Sequence, residues 1–305
     1  MKQPLILEIK GNALDDGPGI RSVVFFKGCP LSCLWCHNPE SKRMGLEIGF
    51  EAKTCVGCDT CINLCPEKAL SRENSFFIDR EACDLCFDCV DACPSGALSR
   101  IGTHMSVEEI AEQVLRDKPF YHTSGGGVTL SGGEPALFTG FAGELAARLK
   151  ANGIHILLET CGLFDLTRFD EHLYPHLDLI YFDIKLMDSD LHARYCGVSN
   201  ETILSNFRAL HARARNGGVP VVPRTPLIPG ITDTPENIHA IADFLSSCGV
   251  GEARLLPYHP LWQEKNLKIG ISMEKDRAPE MDKWLDRNVL EDCRQVFETA
   301  GIALT

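Results

Sequence analysis

The spacing of its cysteines constrains this chain more than any other feature of its sequence. Eleven of the fifteen cysteines lie between Cys29 and Cys93, and the other four are scattered through the rest of the chain. Two segments of this region are near copies, CVGCDTCINLCPEKAL and CDLCFDCVDACPSGAL. Each carries the Cys-x2-Cys-x2-Cys-x3-Cys-Pro spacing of bacterial ferredoxins that hold two [4Fe–4S] clusters. Residues 46–102 are therefore predicted to form a ferredoxin-like insert built around metal ligands.

In such ferredoxins the fourth cysteine of each run ligates the cluster of the other run. Because each cluster then has four thiolates, no iron stays open, and both are predicted to carry electrons rather than bind a substrate. Paired zinc knuckles are the alternative, which the Cys-Pro ending of each run disfavours. One predicted ligand set is Cys55, Cys58, Cys61 and Cys93, and the other is Cys83, Cys86, Cys89 and Cys65.

A third cysteine motif follows a strand-like run at residues 23–26 and has a different spacing. Cys29, Cys33 and Cys36 form a Cys-x3-Cys-x2-Cys loop. Three thiolates can hold three irons of a four-iron cluster and leave one open, and an open metal position can bind a substrate. A zinc loop with His37 as fourth ligand, or buried thiols without metal, would also satisfy this spacing. The remaining cysteines lack ligand spacing and are interpreted as buried thiols: Cys161, Cys196, Cys248 and Cys293.

Composition and charge argue against some classes of partner. The net charge of −12 at pH 7 and the pI near 5.3 disfavour binding to nucleic acids. No apolar run reaches the length of a membrane span, and MKQPLILEIK does not have the pattern of a signal peptide. We therefore expect a cytoplasmic protein, and in a reducing compartment clustered cysteines favour metal ligation over disulfides. The protein is also expected to be monomeric.

Outside the cysteine-rich region the chain alternates strand-like and helix-like segments. Ser106 and Glu109 have the spacing of a capping box that opens a helix over residues 106–117. About six strand–helix units predict an α/β fold, an open partial barrel of residues 1–45 and 103–305, with its chemistry at the carboxyl ends of the strands. Strands are predicted near residues 23–26, 128–130, 154–158, 177–183, 220–224 and 253–256, and further helices near 140–151, 201–215, 236–247 and 290–300.

The segment DGPGIRSVVFFKGCPLSCLWCHNPE at residues 16–40 resembles the signature of glycyl-radical-enzyme activating enzymes, the pyruvate formate-lyase activating enzyme-like members of the radical SAM superfamily. The similarity continues at residues 125–127, 131–134, 183–185, 224 and 258–259. The resemblance implies a TIM-type (β/α)6 partial barrel in which S-adenosylmethionine (SAM) chelates the open iron. One electron then cleaves SAM to a 5′-deoxyadenosyl radical, which takes a hydrogen atom from a backbone glycine of a partner glycyl radical enzyme. With the insert this makes three [4Fe–4S] clusters, and a flavodoxin or ferredoxin is the expected reductant.

The resemblance also assigns the SAM contacts. From the residue types alone, purely structural roles also explain the same residues: a turn, a core aromatic, a surface ion pair and a structural histidine. A monovalent cation beside SAM is implied at Glu159 and Thr160, where this chain has Glu in place of the family's Asp and Cys161 in place of its Asn. The implied contacts are Trp35, Cys36 and His37 around the adenine side, Gly132, Gly133 and Glu134 at the amino group, Asp183, Ile184 and Lys185 at the ribose and carboxylate, Arg224 at the carboxylate, and His259 near the adenine or ribose.

Other functions explain parts of this pattern. A pure electron-transfer protein accounts for residues 46–102 but not for the three-cysteine loop or the long strand–helix region. A non-enzymatic zinc scaffold, with His37 as the fourth ligand of that loop, is a further alternative. A radical SAM enzyme acting on a small molecule or a peptide is the main alternative, against which stands the DGPGIR match. The sequence leaves open which glycyl radical enzyme is activated, and whether the insert relays electrons or helps to dock a partner.

Overall fold

The computed structural model describes residues 3–272 and 279–305. In this part of the chain, no helix is both long and apolar enough to cross a membrane. The strands are β1 Leu5–Ala13, β2 Arg21–Lys27, β3 Glu47–Phe50, β4 Leu98–Ile101, β5 Thr103–His104, β6 Gly127–Gly132, β7 His155–Thr160, β8 Leu179–Asp183, β9 Val221–Leu227, β10 Glu252–Pro257 and β11 Ala303–Leu304. The α-helices are α1 Thr60–Leu64, α2 Asp88–Asp91, α3 Val107–Leu115, α4 Lys118–Ser124, α5 Thr139–Ala151, α6 Leu166–His172, α7 Ser189–Cys196, α8 Glu201–Arg215, α9 Pro235–Ser247, α10 Gln263–Lys268 and α11 Arg287–Thr299.

One large sheet has the strand order β11-β10-β9-β8-β7-β6-β2-β1-β5. Six of its strands, β2 and β6 to β10, run parallel to one another. At one edge β1 and β5 add antiparallel strands, and at the other β11 adds a short parallel one. The predicted (β/α)6 partial barrel is therefore confirmed. Since parallel strands point the same way, the carboxyl ends of these six lie side by side along one edge of the sheet, which is not either of the lateral edges formed by β5 and β11.

Local sequence signals account for most of these elements. Ser106 Oγ accepts a hydrogen bond from Glu109 N at 3.2 Å, and the Glu109 carboxylate accepts one from Ser106 N at 2.7 Å, which confirms the capping box of α3. Helix α5 is followed by Gly153, whose φ of 74° suits the residue after a helix end. The helix predicted at 201–215 has these bounds, and the other predicted helices and strands are present with shifted bounds. Strand β1 is not among them, because its largely exposed second half weakens the apolar pattern.

The segment before β2 closes the amino-terminal end of the barrel. The Arg21 side chain is fully buried and donates to Thr129 Oγ1 at 2.6 Å and to Val128 O at 2.7 Å. Gly19 has a φ of 69°, and a Cβ on it would lie 2.5 Å from Gly126 N, so only glycine fits there. The DGPGIR motif thus fastens the chain before β2 to strand β6.

Residues 46–102 have an apolar cluster of their own. Strand β3 pairs antiparallel with β4, and Glu47 lies opposite Ile101, so the segment leaves and rejoins the barrel at adjacent positions. Lys27, fully buried at the end of β2, donates to Glu47 Oε2 at 2.6 Å and ties the segment to the barrel. The domain boundaries at residues 46 and 102 stay a prediction. The buried members of the cluster are Ile48, Leu70, Phe77, Ile78, Phe87, Cys89 and Leu98.

Candidate functional site

The three-cysteine loop, residues 29–36, leaves the carboxyl end of β2 and is held from two sides by backbone hydrogen bonds. On one side Gly28 N donates to Ser41 O at 2.6 Å. On the other side Ser32 N donates to Cys196 O at 2.9 Å, at the end of α7. Neighbouring segments therefore fix the path of the loop, which places its thiols at the edge where the parallel strands end.

Positive charges lie beside these thiols. Lys42 Nζ donates to Cys33 O at 2.7 Å. A hydrogen bond with Cys196, aided by the charges of Lys185 and Lys42, lowers the pKa of Cys33 to about 7 against the effect of burial. Burial raises the pKa of Cys36 to about 12. Because thiolates are the form that ligates iron, three thiols from one loop with cations nearby fit a cluster with one open iron.

Two cysteines without ligand spacing lie against this loop. A hydrogen bond with Cys29, together with burial, raises the pKa of Cys161. A hydrogen bond with Cys33, again together with burial, raises the pKa of Cys196. Cys161 follows β7 and Cys196 ends α7, so no sequence pattern could signal these contacts. Of the four cysteines interpreted as buried thiols, Cys161, Cys196 and Cys293 are buried and Cys248 is half-buried.

The SGGE turn at residues 131–134 packs directly against the end of β2 and Gly28, just before the three-cysteine loop. A Cβ on Gly132 would lie 2.4 Å from Phe26 N, and one on Gly133 would lie 2.2 Å from Gly28 O. Both glycines are therefore required by the close approach of β6 to the end of β2, in addition to any approach of a ligand. This requirement gives the motif a structural role that the sequence does not reveal.

The Glu134 side chain braces this turn. It is fully buried; its Oε1 accepts from Ala136 N at 3.0 Å, and its Oε2 accepts from Thr160 Oγ1 at 2.8 Å and Cys161 N at 2.7 Å. Oε2 thus joins the turn after β6 to the end of β7, whereas Oε1 holds the turn itself. Both oxygens of this carboxylate therefore have protein donors, and the contact of Glu134 with SAM stays a prediction.

Four charged side chains meet at the carboxyl ends of β7, β8 and β9. Arg224 Nε donates to Asp183 Oδ1 at 2.9 Å, and Arg224 Nη1 pairs with Glu159 Oε1. Lys185 Nζ lies 3.1 Å from Asp183 Oδ2, and Ser131 Oγ donates to Glu159 Oε2 at 2.6 Å. Burial alone would raise the pKa of Asp183, but Arg224 and Lys185 lower it. This four-charge network of Glu159, Asp183, Lys185 and Arg224 suits a ligand with both a carboxylate and a cationic group.

The two predicted histidines meet at a cavity of about 1110 Å³, counting its open mouth, between β1–β2 and the segment after β10. The ring centroids of His37 and His259 are 4.2 Å apart. Burial, with His259 nearby, lowers the pKa of His37 to about 4. Within the described chain, His37 Nε2, His259 Nδ1 and Glu40 Oε2 are buried without a hydrogen-bond partner. Such atoms around one cavity fit a heteroaromatic ligand that can complete their hydrogen bonds.

Two predicted SAM contacts are buried, and one side chain at the cavity has a contact that the sequence does not predict. Trp35 and Ile184, predicted to contact SAM, are 4% and 1% exposed and belong to the main apolar core, and their contacts with SAM stay predictions. Lys265 was not predicted, yet its Nζ donates to His37 O and to Asn38 Oδ1, both at 3.0 Å. Helix α10, which carries Lys265, has no recognisable motif, so only the folded chain reveals this contact.

The insert cysteines also come together in the fold. Cys55, Cys58, Cys61 and Cys93 line one cavity beside α1. In the second group, burial and the neighbouring thiols of Cys83 and Cys86 raise the pKa of Cys89 to about 11. Among residues 3–272 and 279–305, no three His, Cys, Asp or Glu side chains are arranged to hold a single metal ion. The ligand sets and the number of clusters stay predictions.

Comparison with known proteins adds an independent observation. Residues 23–245 match the family model of the radical SAM superfamily. The chain is 37% identical to the trans-4-hydroxy-L-proline dehydratase activating enzyme of Clostridioides difficile, over 98% of this chain and 97% of the relative. It is 41% identical to the isethionate sulfite-lyase activating enzyme of Nitratidesulfovibrio vulgaris, over 86% of each chain. It is 40% identical to the benzylsuccinate synthase activating enzyme of Thauera aromatica, over 88% of this chain and 83% of the relative.

Proposed function

Because this chain belongs to the radical SAM superfamily, and within it to the glycyl-radical-enzyme activating enzymes, we propose that it installs a radical on a backbone glycine of a partner enzyme. The observation that carries this function is the meeting of the three-cysteine loop, the four-charge network and the histidine-lined cavity at one edge of the sheet. When bound, a [4Fe–4S] cluster with one open iron supplies the electron that cleaves SAM to methionine and a 5′-deoxyadenosyl radical, which removes the glycine hydrogen atom.

Different side chains bind different parts of SAM in this proposal. Lys185 and Arg224 supply positive charge for its carboxylate, and Asp183 holds both cations while facing the ribose. His37 and His259 receive the adenine ring, which gives their orphaned ring nitrogens a partner. Backbone groups of the SGGE turn are left for the amino group of SAM, since the Glu134 carboxylate is occupied.

The cavity at the open side of the barrel gives the partner's glycine loop a way to the site. Its walls include the apolar side chains Leu7, Phe25 and Leu261 beside His37 and His259. Apolar walls exclude water from a reactive radical, and a bound loop places its Cα–H group next to the reacting carbon. A closed eight-stranded barrel, filled by its own side chains, would leave no such opening.

Further cofactors follow from the predicted ligand sets. Two more [4Fe–4S] clusters in the insert would bring the chain to about twelve irons. A flavodoxin or a ferredoxin is the proposed reductant. A monovalent cation beside SAM is the weaker part of this scheme, because Glu159 already accepts from Arg224 and Ser131, and the Thr160 hydroxyl donates to Glu134.

The identity of the partner enzyme must come from experiment. The activating enzymes named for trans-4-hydroxy-L-proline dehydratase, isethionate sulfite-lyase and benzylsuccinate synthase are 37%, 41% and 40% identical to this chain. Relatives named for such different partners are thus almost equally similar to it. A panel of purified glycyl radical enzymes is therefore the right substrate for the first assay.

The test mixes the chain, SAM and a reductant anaerobically with each partner in turn. We expect a glycine-centred doublet by electron paramagnetic resonance (EPR) with the matching partner, and cleavage of that partner at the glycine when air is admitted. The control is the same partner with its glycine replaced by alanine. If the doublet survives unchanged in that control, the radical is not on the glycine and the assignment fails.

A second experiment separates the three-cysteine loop from the insert. Replacing Cys29, Cys33 and Cys36 with alanine should remove about a third of the iron and abolish SAM cleavage. Replacing the eight insert cysteines should remove the other two thirds and leave the cluster of the loop in place. Formation of 5′-deoxyadenosine by the triple variant would contradict the assignment of the open cluster.

A further inference from the structure

The two halves of the insert repeat are similar in sequence but differ in their position relative to the barrel. In the second half, Cys83 lines a cavity whose wall also contains Arg43 and Glu47, the residues that join the insert to the barrel. Arg43 and Glu47 also line a neighbouring cavity that reaches Cys29 of the three-cysteine loop. Cys83 and Cys29 therefore line two neighbouring cavities that have Arg43 and Glu47 in common.

The first half of the repeat faces away from these two cavities. Among the described residues, the cavity lined by Cys55, Cys58, Cys61 and Cys93 shares no wall residue with the other two. Its rim is open to solvent, since Val56 is 68% exposed and Cys58 is also exposed; Cys86 of the second set is exposed too, so the two sets differ in their contacts with the barrel rather than in exposure. A carrier protein arriving from solution can therefore approach this half directly.

The contacts between the insert and the barrel show the same asymmetry. Arg80, close in sequence to Cys83, donates from Nη1 to Ile48 O at 2.9 Å and from Nη2 to Lys268 O at 3.4 Å. This half-buried arginine fastens the second half of the repeat to α10 of the barrel. The first half contacts α10 through an exposed ion pair, Lys53 with Glu264 at 2.6 Å, and exposed pairs contribute little to stability.

We propose that electrons pass through the two ligand sets in a fixed order. The set containing Cys58 is the outer set and receives the electron first, and the set containing Cys83 is the inner set and receives it second. A low-potential one-electron carrier, a flavoprotein or an iron–sulfur protein, gives one electron to the outer set and is itself oxidised by one electron. The same electron then passes to the inner set and on to the three-cysteine loop. This order rests on the proposed function, because the insert must hold two clusters, but it does not depend on which partner is activated.

Arg43 and Arg72 offer a matched pair of variants for the test. Their side chains are 66% and 48% exposed, and they pair with the carboxylates of Glu47 and Asp59. Arg43 lies in the wall shared by the inner set and the three-cysteine loop, whereas Arg72 lines the cavity of the outer set. The substitutions Arg43→Glu and Arg72→Glu therefore make the same change of charge, the first beside the inner set and the three-cysteine loop and the second beside the outer set.

The measurement is a redox titration of each holoenzyme, followed by EPR at low ionic strength, because salt screens exposed charges. A negative charge disfavours the uptake of an electron nearby and so lowers the midpoint potential. We expect Arg43→Glu to lower the potentials of the inner set and the three-cysteine loop, and Arg72→Glu to lower that of the outer set. If Arg43→Glu shifts the outer set as much as the inner set, the order is wrong.

Ligand variants assign the signals and test the order by kinetics. The double variants Cys58→Ala/Cys61→Ala and Cys83→Ala/Cys89→Ala leave only two thiolates in one set, so each should lose about four irons and one EPR signal. After mixing with reduced carrier, the Cys83→Ala/Cys89→Ala protein should reduce its outer set as fast as the wild type but its three-cysteine loop more slowly. Wild-type reduction of the loop in this variant would overturn the order. An iron content that never exceeds about four per chain would instead overturn the ligand sets of the proposed function.

Discussion

The contact between Glu159 and Arg224 allows a direct test of how the four-charge network serves SAM. The substitution Glu159→Gln keeps the size of the side chain and removes one of the two carboxylates that hold the guanidinium. Both side chains are largely buried, with exposed fractions of 12% and 10%. Asp183 Oδ1 still accepts from Arg224 Nε at 2.9 Å, so the guanidinium keeps one partner. We expect Arg224 to stay in the site but to be held less firmly.

The size of the effect follows from this remaining contact. Leaving a buried charge with no partner costs about 3–5 kcal/mol. Because Asp183 still compensates Arg224, we expect roughly a third of that cost, about 1.4 kcal/mol, to appear in SAM binding, which is about a tenfold weaker Kd. The substitution Glu159→Asp keeps the charge on a shorter side chain, and should therefore bind SAM with an affinity between those of wild type and Glu159→Gln.

The assay is equilibrium dialysis of labelled SAM against the iron-loaded protein without reductant, so that no SAM is consumed. Glu108→Gln is the control, because Glu108 and Arg148 form an exposed ion pair at 3.2 Å, far from any predicted ligand. Unchanged affinity in Glu159→Gln, or an equal loss in the control, would refute the role of Glu159. An unfolding curve for each variant separates weaker binding from a loss of structure.

Three other substitutions test the packing around the site. Gly133→Ala places a Cβ 2.2 Å from Gly28 O, so the three-cysteine loop should bind less iron, and iron analysis should show a loss of up to about a third. Lys27→Met leaves the Glu47 carboxylate buried, and anaerobic urea unfolding should show destabilisation of about 2–4 kcal/mol. The pKa of His37 is lowered from 6.5 to about 4, so its contribution to stability is complete above pH 6.5 and lost as the pH falls towards 4. His37→Phe should remove this part of the pH dependence of unfolding.

The sequence predicts those parts of the fold that depend on local signals. Helix α8 has the predicted bounds, Glu201–Arg215, because a long amphipathic pattern leaves little choice of where it begins and ends. The capping box of α3 is likewise a contact between residues three positions apart. Helix α10 and strand β11 are short and lack such signals, so packing against the rest of the chain determines them.

The candidate site likewise has parts that the sequence predicts and parts that only the folded chain reveals. The three-cysteine loop and the ferredoxin-like runs can be proposed from spacing, because their expected ligands are close together in sequence. Glu134 and Lys265 show what spacing does not reveal: the Glu134 carboxylate accepts hydrogen bonds from the end of β7, and Lys265 donates to the backbone of His37. Both roles depend on which strands and helices become neighbours, and that information is spread over the whole chain.

The pairing of Glu47 with Ile101 makes the junction of the insert a natural point for exchanging modules. Since the chain departs and returns at neighbouring positions, a short turn or a different redox domain could replace the insert without altering the strand order of the barrel. The buried ammonium of Lys27 sets one condition for such a graft. Any replacement must begin with a carboxylate where Glu47 now lies, or be accompanied by an apolar residue in place of the lysine.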